Sequence, residues 1–164
     1  MIKKNVFLLF LIVFFVLIDC ALMPAYSIEL DKATRTVVFD SSNKTITLTT
    51  EQVKRGKRLF NSSCAQCHNG GITKTNPNIG LDLESLSLAT PARDNVASLI
   101  DYMKSPMSYD GQNYIEELHP SIKSADIFPI MRNLTDEDLL SMAGYILLQP
   151  KIAPEKWGGG KIYY

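Results

Sequence analysis

Cysteine and histidine are scarce in this chain, and their scarcity excludes whole classes of chemistry. Three cysteines and two histidines occur in 164 residues. A structural zinc site needs about four ligands, usually two paired sets, and only one Cys-x-x-Cys pair is present. Neither sign of charge is in excess, with 17 basic against 17 acidic side chains. Nothing therefore argues for nucleic acid or for wholesale attraction to an anionic membrane. A membrane-spanning run is missing too. The uncharged apolar stretch from Val6 to Ile18 has 13 residues, short of the about 20 that cross a bilayer. Lys3 and Lys4 precede it and Ala25-Tyr26-Ser27 offers a small-x-small site, so residues 1–27 read as a signal peptide cut after Ser27. Asp19 stands where a lipoprotein signal wants a small residue before Cys20. Cleavage would remove Cys20, leave Cys64 and Cys67 as the last thiols, and make residues 28–164 one mature domain without a disulfide.

What is present is concentrated in Cys64-Ala65-Gln66-Cys67-His68. This spacing is the attachment site of a c-type haem. The two thiols become thioethers to the two vinyl groups of one porphyrin, and the adjacent imidazole lies under the iron. By composition about 0.0007 chance matches are expected, so coincidence is set aside. One covalently bound haem c is expected, held by Cys64 and Cys67, with His68 as one axial ligand. Export also suits the chemistry, because haem c is attached on the far side of an energy-transducing membrane.

The rest of the chain reads as an all-α domain with a small β addition. Residues 34–49 alternate and are rich in β-formers, with Asp40-Ser41-Ser42-Asn43-Lys44 as a turn, which predicts a short hairpin. Thr49 with Gln52 fits a capping box, and Val53, Gly56 and Phe60 fall on one face of a helix ending at Cys64. A loop follows through Asn69-Gly70-Gly71 and Asn76-Pro77-Asn78, then a short helical piece from Leu83 to Leu88. Thr90 as cap and Pro91 as first residue predict another helix, with Val96, Leu99, Ile100 and Met103 as its apolar stripe. Residues 107–129 hold no long periodic run and should wall one haem face. Thr135 with Asp138 caps the last helix, whose stripe is Leu139, Ala143, Ile146 and Leu147, and Pro150 is expected just past its end. The tail, residues 150–164, turns rich in glycine and aromatics.

Candidates for the sixth position on the iron are His119 and four methionines, Met103, Met107, Met131 and Met142. Met103 and Met142 lie on or beside apolar stripes, where core packing accounts for them. His119, the remaining histidine, stands in irregular chain between Leu118 and Pro120 and is favoured. Met131, just ahead of the last helix, is the rival, and an open or water-filled position is the third possibility. The choice sets function, because methionine raises the potential whereas a second imidazole stabilises ferric iron.

Residues 49–148 resemble class I c-type cytochromes. Gly56 and Phe60 match their N-terminal helix, Gly144-Tyr145 would be the matching contact on the last helix, and Pro77-Asn78-Ile79-Gly80 looks like their proline-containing loop. This resemblance implies that the Pro77 carbonyl accepts a hydrogen bond from His68 Nδ1. Ile127 stands near where that class commonly carries its axial methionine. The runs 119–129, 131–139 and 155–164 resemble a narrower family, cytochrome c-550, the extrinsic lumenal subunits of photosystem II in cyanobacteria and red or related algae. That resemblance implies ligation by His68 and His119, a low potential, and a thylakoid-targeting signal. It also implies peripheral association with the lumenal loops of photosystem II and its other extrinsic subunits. There the protein would support the manganese-calcium cluster and its chloride and calcium requirement without being an enzyme. The hairpin and the tail are material that a minimal electron carrier does not need. A soluble one-electron shuttle is the alternative.

Overall fold

Thr49 starts the helix that carries the motif. Its hydroxyl accepts from the Gln52 amide at 3.1 Å, and the Gln52 side chain accepts from the Thr49 amide at 2.9 Å. Two backbone donors left over at a helix start are thereby satisfied. The computed structural model describes residues 30–159; the expected signal peptide and tail residues 160–164 lie outside them. Helix α1, Thr50–Ser63, runs directly into the one-turn helix α2, Ala65–His68. Further along are α3, Leu83–Ser87, α4, Val96–Lys104, and α5, Asp136–Ile152. Strands β1, Thr36–Val38, and β2, Thr45–Thr47, pair antiparallel with Thr36 opposite Thr47. The expected all-α domain with a short hairpin is what forms.

Two details differ from the sequence reading. Helix α4 begins five residues later than expected, because Asn95 and not Thr90 provides the cap, accepting from the Ser98 amide at 3.0 Å. Pro150 lies inside α5, not beyond it. A proline there removes one amide donor, but the next turn is still closed by Ala153 N donating to Gln149 O at 2.9 Å.

The crossing of α1 and α5 is the centre of the fold. Gly56 meets the Ser141 carbonyl and the Tyr145 Cβ with no room for a side chain of its own. Tyr145 is thus the expected contact. Gly144 instead makes space for Leu48, which is wholly buried behind β2. Arg55 on α1 donates through Nε to Asp138 on α5 at 2.7 Å, and Asp138 also closes the α5 capping box with Thr135. Burial works to raise the Asp138 pKa, but the Thr135 amide and Arg55 together hold it below the usual carboxylate range. Beside this crossing Phe60 packs on Tyr145 and on Trp157, with ring centres 5.4 Å apart in both pairs. Trp157, 7% exposed, donates its indole N–H to Leu81 O at 2.8 Å. The start of the tail is therefore a piece of core.

Residues 107–129 form the expected irregular wall. Ile122 N and Lys123 N donate to the Met103 and Lys104 carbonyls at 3.0 and 3.1 Å, pinning the wall to the end of α4.

Candidate functional site

The motif is wound as a single helical turn. Cys64 N donates to Phe60 O at 2.8 Å, and the amides of Cys67 and His68 donate to Cys64 O at 3.1 and 2.8 Å. Residues three and four apart share a helix face, so the turn gathers both sulfurs and the imidazole on one side. Cys64 is half-buried and packed on the core, while Cys67 is exposed. Burial, with the neighbouring Cys67 sulfur adding to it, pushes the Cys64 thiol up to about 12.

His119 is brought across from the wall. Its ring centre lies 6.0 Å from that of His68, the planes inclined by 50°. An imidazole nitrogen binds a first-row metal at about 2 Å, and the ring centre lies about 1 Å behind it. Two imidazoles on opposite faces of one iron therefore have centres about 6 Å apart. The residues present fit a haem. His119 N is anchored to Ile115 O at 2.8 Å, and His119 Nδ1 lies 2.9 Å from the Pro120 carbonyl. A carbonyl only accepts, so Nδ1 carries the proton and Nε2 keeps its lone pair for a metal.

The partner of His68 Nδ1 is the Thr73 hydroxyl at 3.1 Å. Pro77, expected to accept there through its carbonyl, is exposed, and Thr73 takes that place. The reason is local: the chain folds back at once, with Lys74 N donating to Cys67 O at 2.9 Å, so Thr73 returns beside the imidazole before Pro77 is reached.

Both rings are held neutral. Burial lowers the His68 pKa, and burial, with the repulsion that charging both neighbouring rings would bring, holds His119 down to about 4. Neutral imidazole is the form that binds metal. Next to His119 stand two residues that the sequence reading missed. The Tyr102 ring lies edge-on to His119 with centres 5.0 Å apart, and the Arg93 guanidinium lies 4.0 Å from the Tyr102 ring centre. Nothing in the linear sequence joins them, since Arg93 precedes α4 and Tyr102 lies within it. The Pro120 carbonyl was within reach of sequence reasoning, being the residue next to His119.

The chain matches the cytochrome c-550 domain family over residues 28–164. It belongs to the cytochrome c-550 family. Photosystem II extrinsic protein V of Gracilaria tenuistipitata var. liui is 72% identical over 149 residues, 91% of either chain. The protein of that name from Porphyra purpurea is 76% identical over 139 residues, 85% of either chain. The crystal structure of cytochrome c549 superposes with a TM-score of 0.77 at 52% identity, covering 78% of this chain and 99% of that one. Membership of this cytochrome family implies a haem cofactor.

For a member of the cytochrome c-550 family the methionines matter as possible iron ligands. Met103 and Met142 are 6% and 0% exposed within the apolar core. Met131 is 3% exposed in the turn Pro129–Met131. Met107 bridges to Tyr114 at the start of the wall. His119 is the candidate whose ring stands against His68.

Proposed function

We propose that this chain is a low-potential, bis-histidine haem c protein that serves as an extrinsic subunit of photosystem II on the lumenal side of the thylakoid membrane. Cys64 and Cys67 hold the porphyrin through thioethers, and His68 and His119 take the two axial positions. The observation that carries this reading is the 6.0 Å opposition of the His68 and His119 rings. Bound there, the haem supplies a one-electron iron couple with both axial positions filled. Thr73 and the Pro120 carbonyl orient the two imidazoles, and burial keeps both rings neutral. With both positions taken, the protein's job is structural support and docking rather than chemistry on oxygen or peroxide. In this role it stabilises the manganese-calcium cluster and its chloride and calcium requirement. Supporting the assignment to photosystem II are relatives named as its extrinsic protein V at 72% and 76% identity. Among the described residues no helix is long and apolar enough to cross a membrane, which suits a peripheral subunit.

Two measurements test the reading. The ferric haem-loaded protein should give a low-spin spectrum without the near-infrared sulfur-to-iron band of methionine ligation, and appearance of that band would remove His119 from the iron. The protein should also co-purify stoichiometrically with photosystem II at low salt and be released at high salt, as charged docking requires. Failure to co-purify would leave the soluble shuttle.

A further inference from the structure

Arg93 is a largely buried cation bonded to the irregular wall. Its residue is 8% exposed, and none of the ion pairs among the described residues involves it. Its Nε–H is buried without a hydrogen-bond partner. One terminal nitrogen donates to the carbonyls of Met107 and Ser108 at 2.9 and 2.8 Å. Those two bonds would anchor the wall equally well from a neutral donor, so anchoring alone does not require an arginine. A buried cation ordinarily finds an anion or loses its proton, but a guanidinium keeps its proton at any attainable pH. The charge therefore persists in a weakly screening interior, where it acts at a distance.

The direction of that action follows from the stacking. The guanidinium lies 4.0 Å from the Tyr102 ring centre, and that ring stands edge-on to His119 with centres 5.0 Å apart. We propose that Arg93 is a positioning residue that sets the electron affinity of the iron group held by His119, its charge being kept within about 9 Å of the imidazole by the Tyr102 ring. The inference rests on the reading of His68 and His119 as axial ligands. Reduction removes one positive charge from the iron, and a neighbouring cation favours the less positive form. Arg93 thus opposes the fall in potential that a second imidazole brings. Through an effective dielectric of about 20, a unit charge at about 10 Å shifts a one-electron equilibrium on the order of tenfold, which is about 59 mV.

The test is a potentiometric titration of the full haem-loaded chain, with the ferric low-spin spectrum recorded beside each titration. Arg93→Gln should lower the electron affinity about tenfold with the spectrum unchanged. Arg93→Lys, which keeps the charge but not the planar fork, should stay within about threefold of the parent. Tyr102→Leu leaves the two carbonyl bonds of Arg93 in place and admits water between cation and imidazole, so it should shift in the same direction as Arg93→Gln. It also carries the test should Arg93→Gln fail to fold. Lys104→Gln, at an ammonium whose side chain is 44% exposed, should change the electron affinity less than about twofold. Equal shifts in Arg93→Lys and Arg93→Gln would show a packing role and overturn the proposal, as would an unmoved potential in Arg93→Gln or Tyr102→Leu. A parent protein lacking the bis-imidazole spectrum would instead refute the ligand reading, a failure seen before any variant is made.

Discussion

Replacing Gly56 by alanine should pry apart the helix crossing that positions the Cys64–His68 turn. The added Cβ would be driven into the Ser141 carbonyl and would lie 2.8 Å from both the Ser141 carbonyl carbon and the Tyr145 Cβ. Carbon atoms rest comfortably at about 3.5–4.0 Å, and neither a backbone carbonyl nor a Cβ can swing aside. The helices must then separate by about 1 Å, which forfeits a quarter to a half of the contact energy along the seam. Alanine regains about 1 kcal/mol of helix propensity over glycine, but overpacking of this kind costs about 1–3 kcal/mol before the seam is counted. The net expectation is a loss of about 3 kcal/mol, or about 10 °C in Tm for a domain of this size. Thermal unfolding of the haem-loaded protein, followed by far-ultraviolet circular dichroism, measures it. The haem spectrum should broaden at lower temperature as well, because α1 delivers Cys64 and His68. An unchanged or raised Tm would show that α1 and α5 do not cross at Gly56.

Thr73→Val removes the hydroxyl at His68 Nδ1 and should raise the midpoint potential, because a hydrogen-bonded imidazole is the more basic ligand; an unmoved potential in the same titration would return the role to another acceptor such as the Pro77 carbonyl. Trp157→Ala should cost about 3–5 kcal/mol in chemical denaturation, since it empties the site beside Phe60 and Tyr145 and abandons the Leu81 carbonyl; a loss under about 1 kcal/mol would make the start of the tail an appendage. Acid should weaken the fold in two stages. In the haem-free chain, folded His119 is neutral down to about pH 4, whereas unfolded it takes up a proton near 6.5. Its contribution is complete above 6.5 and is lost as pH falls through about 4, at most about 3 kcal/mol. Asp138, held below 3.8, adds a further loss at lower pH still. Denaturant midpoints of the haem-free chain against pH should show the first stage disappear in His119→Gln.

Where a site is built from neighbouring residues, one sequence shows which side chains will stand together. Cys64, Cys67 and His68 share one helical turn, and a turn's geometry is implicit in its spacing. The capping boxes at Thr49 and Thr135 likewise join residues three apart. The cap of α4 is not legible at Thr90, because a proline suitable for a first helical position does not show whether the chain will use Asn95 instead. Pro150 does not end α5, because the helix's apolar burial outweighs one missing amide near its end.

The attachment motif, the family resemblance and the amphipathic helices were legible in the sequence alone, since each is written in short-range pattern. Tertiary structure alone decided which residues stand around the two imidazoles. His119 faces His68 from 51 positions away, Thr73 reaches Nδ1 ahead of Pro77, and Arg93 is stacked on Tyr102 beside His119. Those neighbours are set by how α4 and the wall pack, and no linear spacing encodes a contact between separate elements.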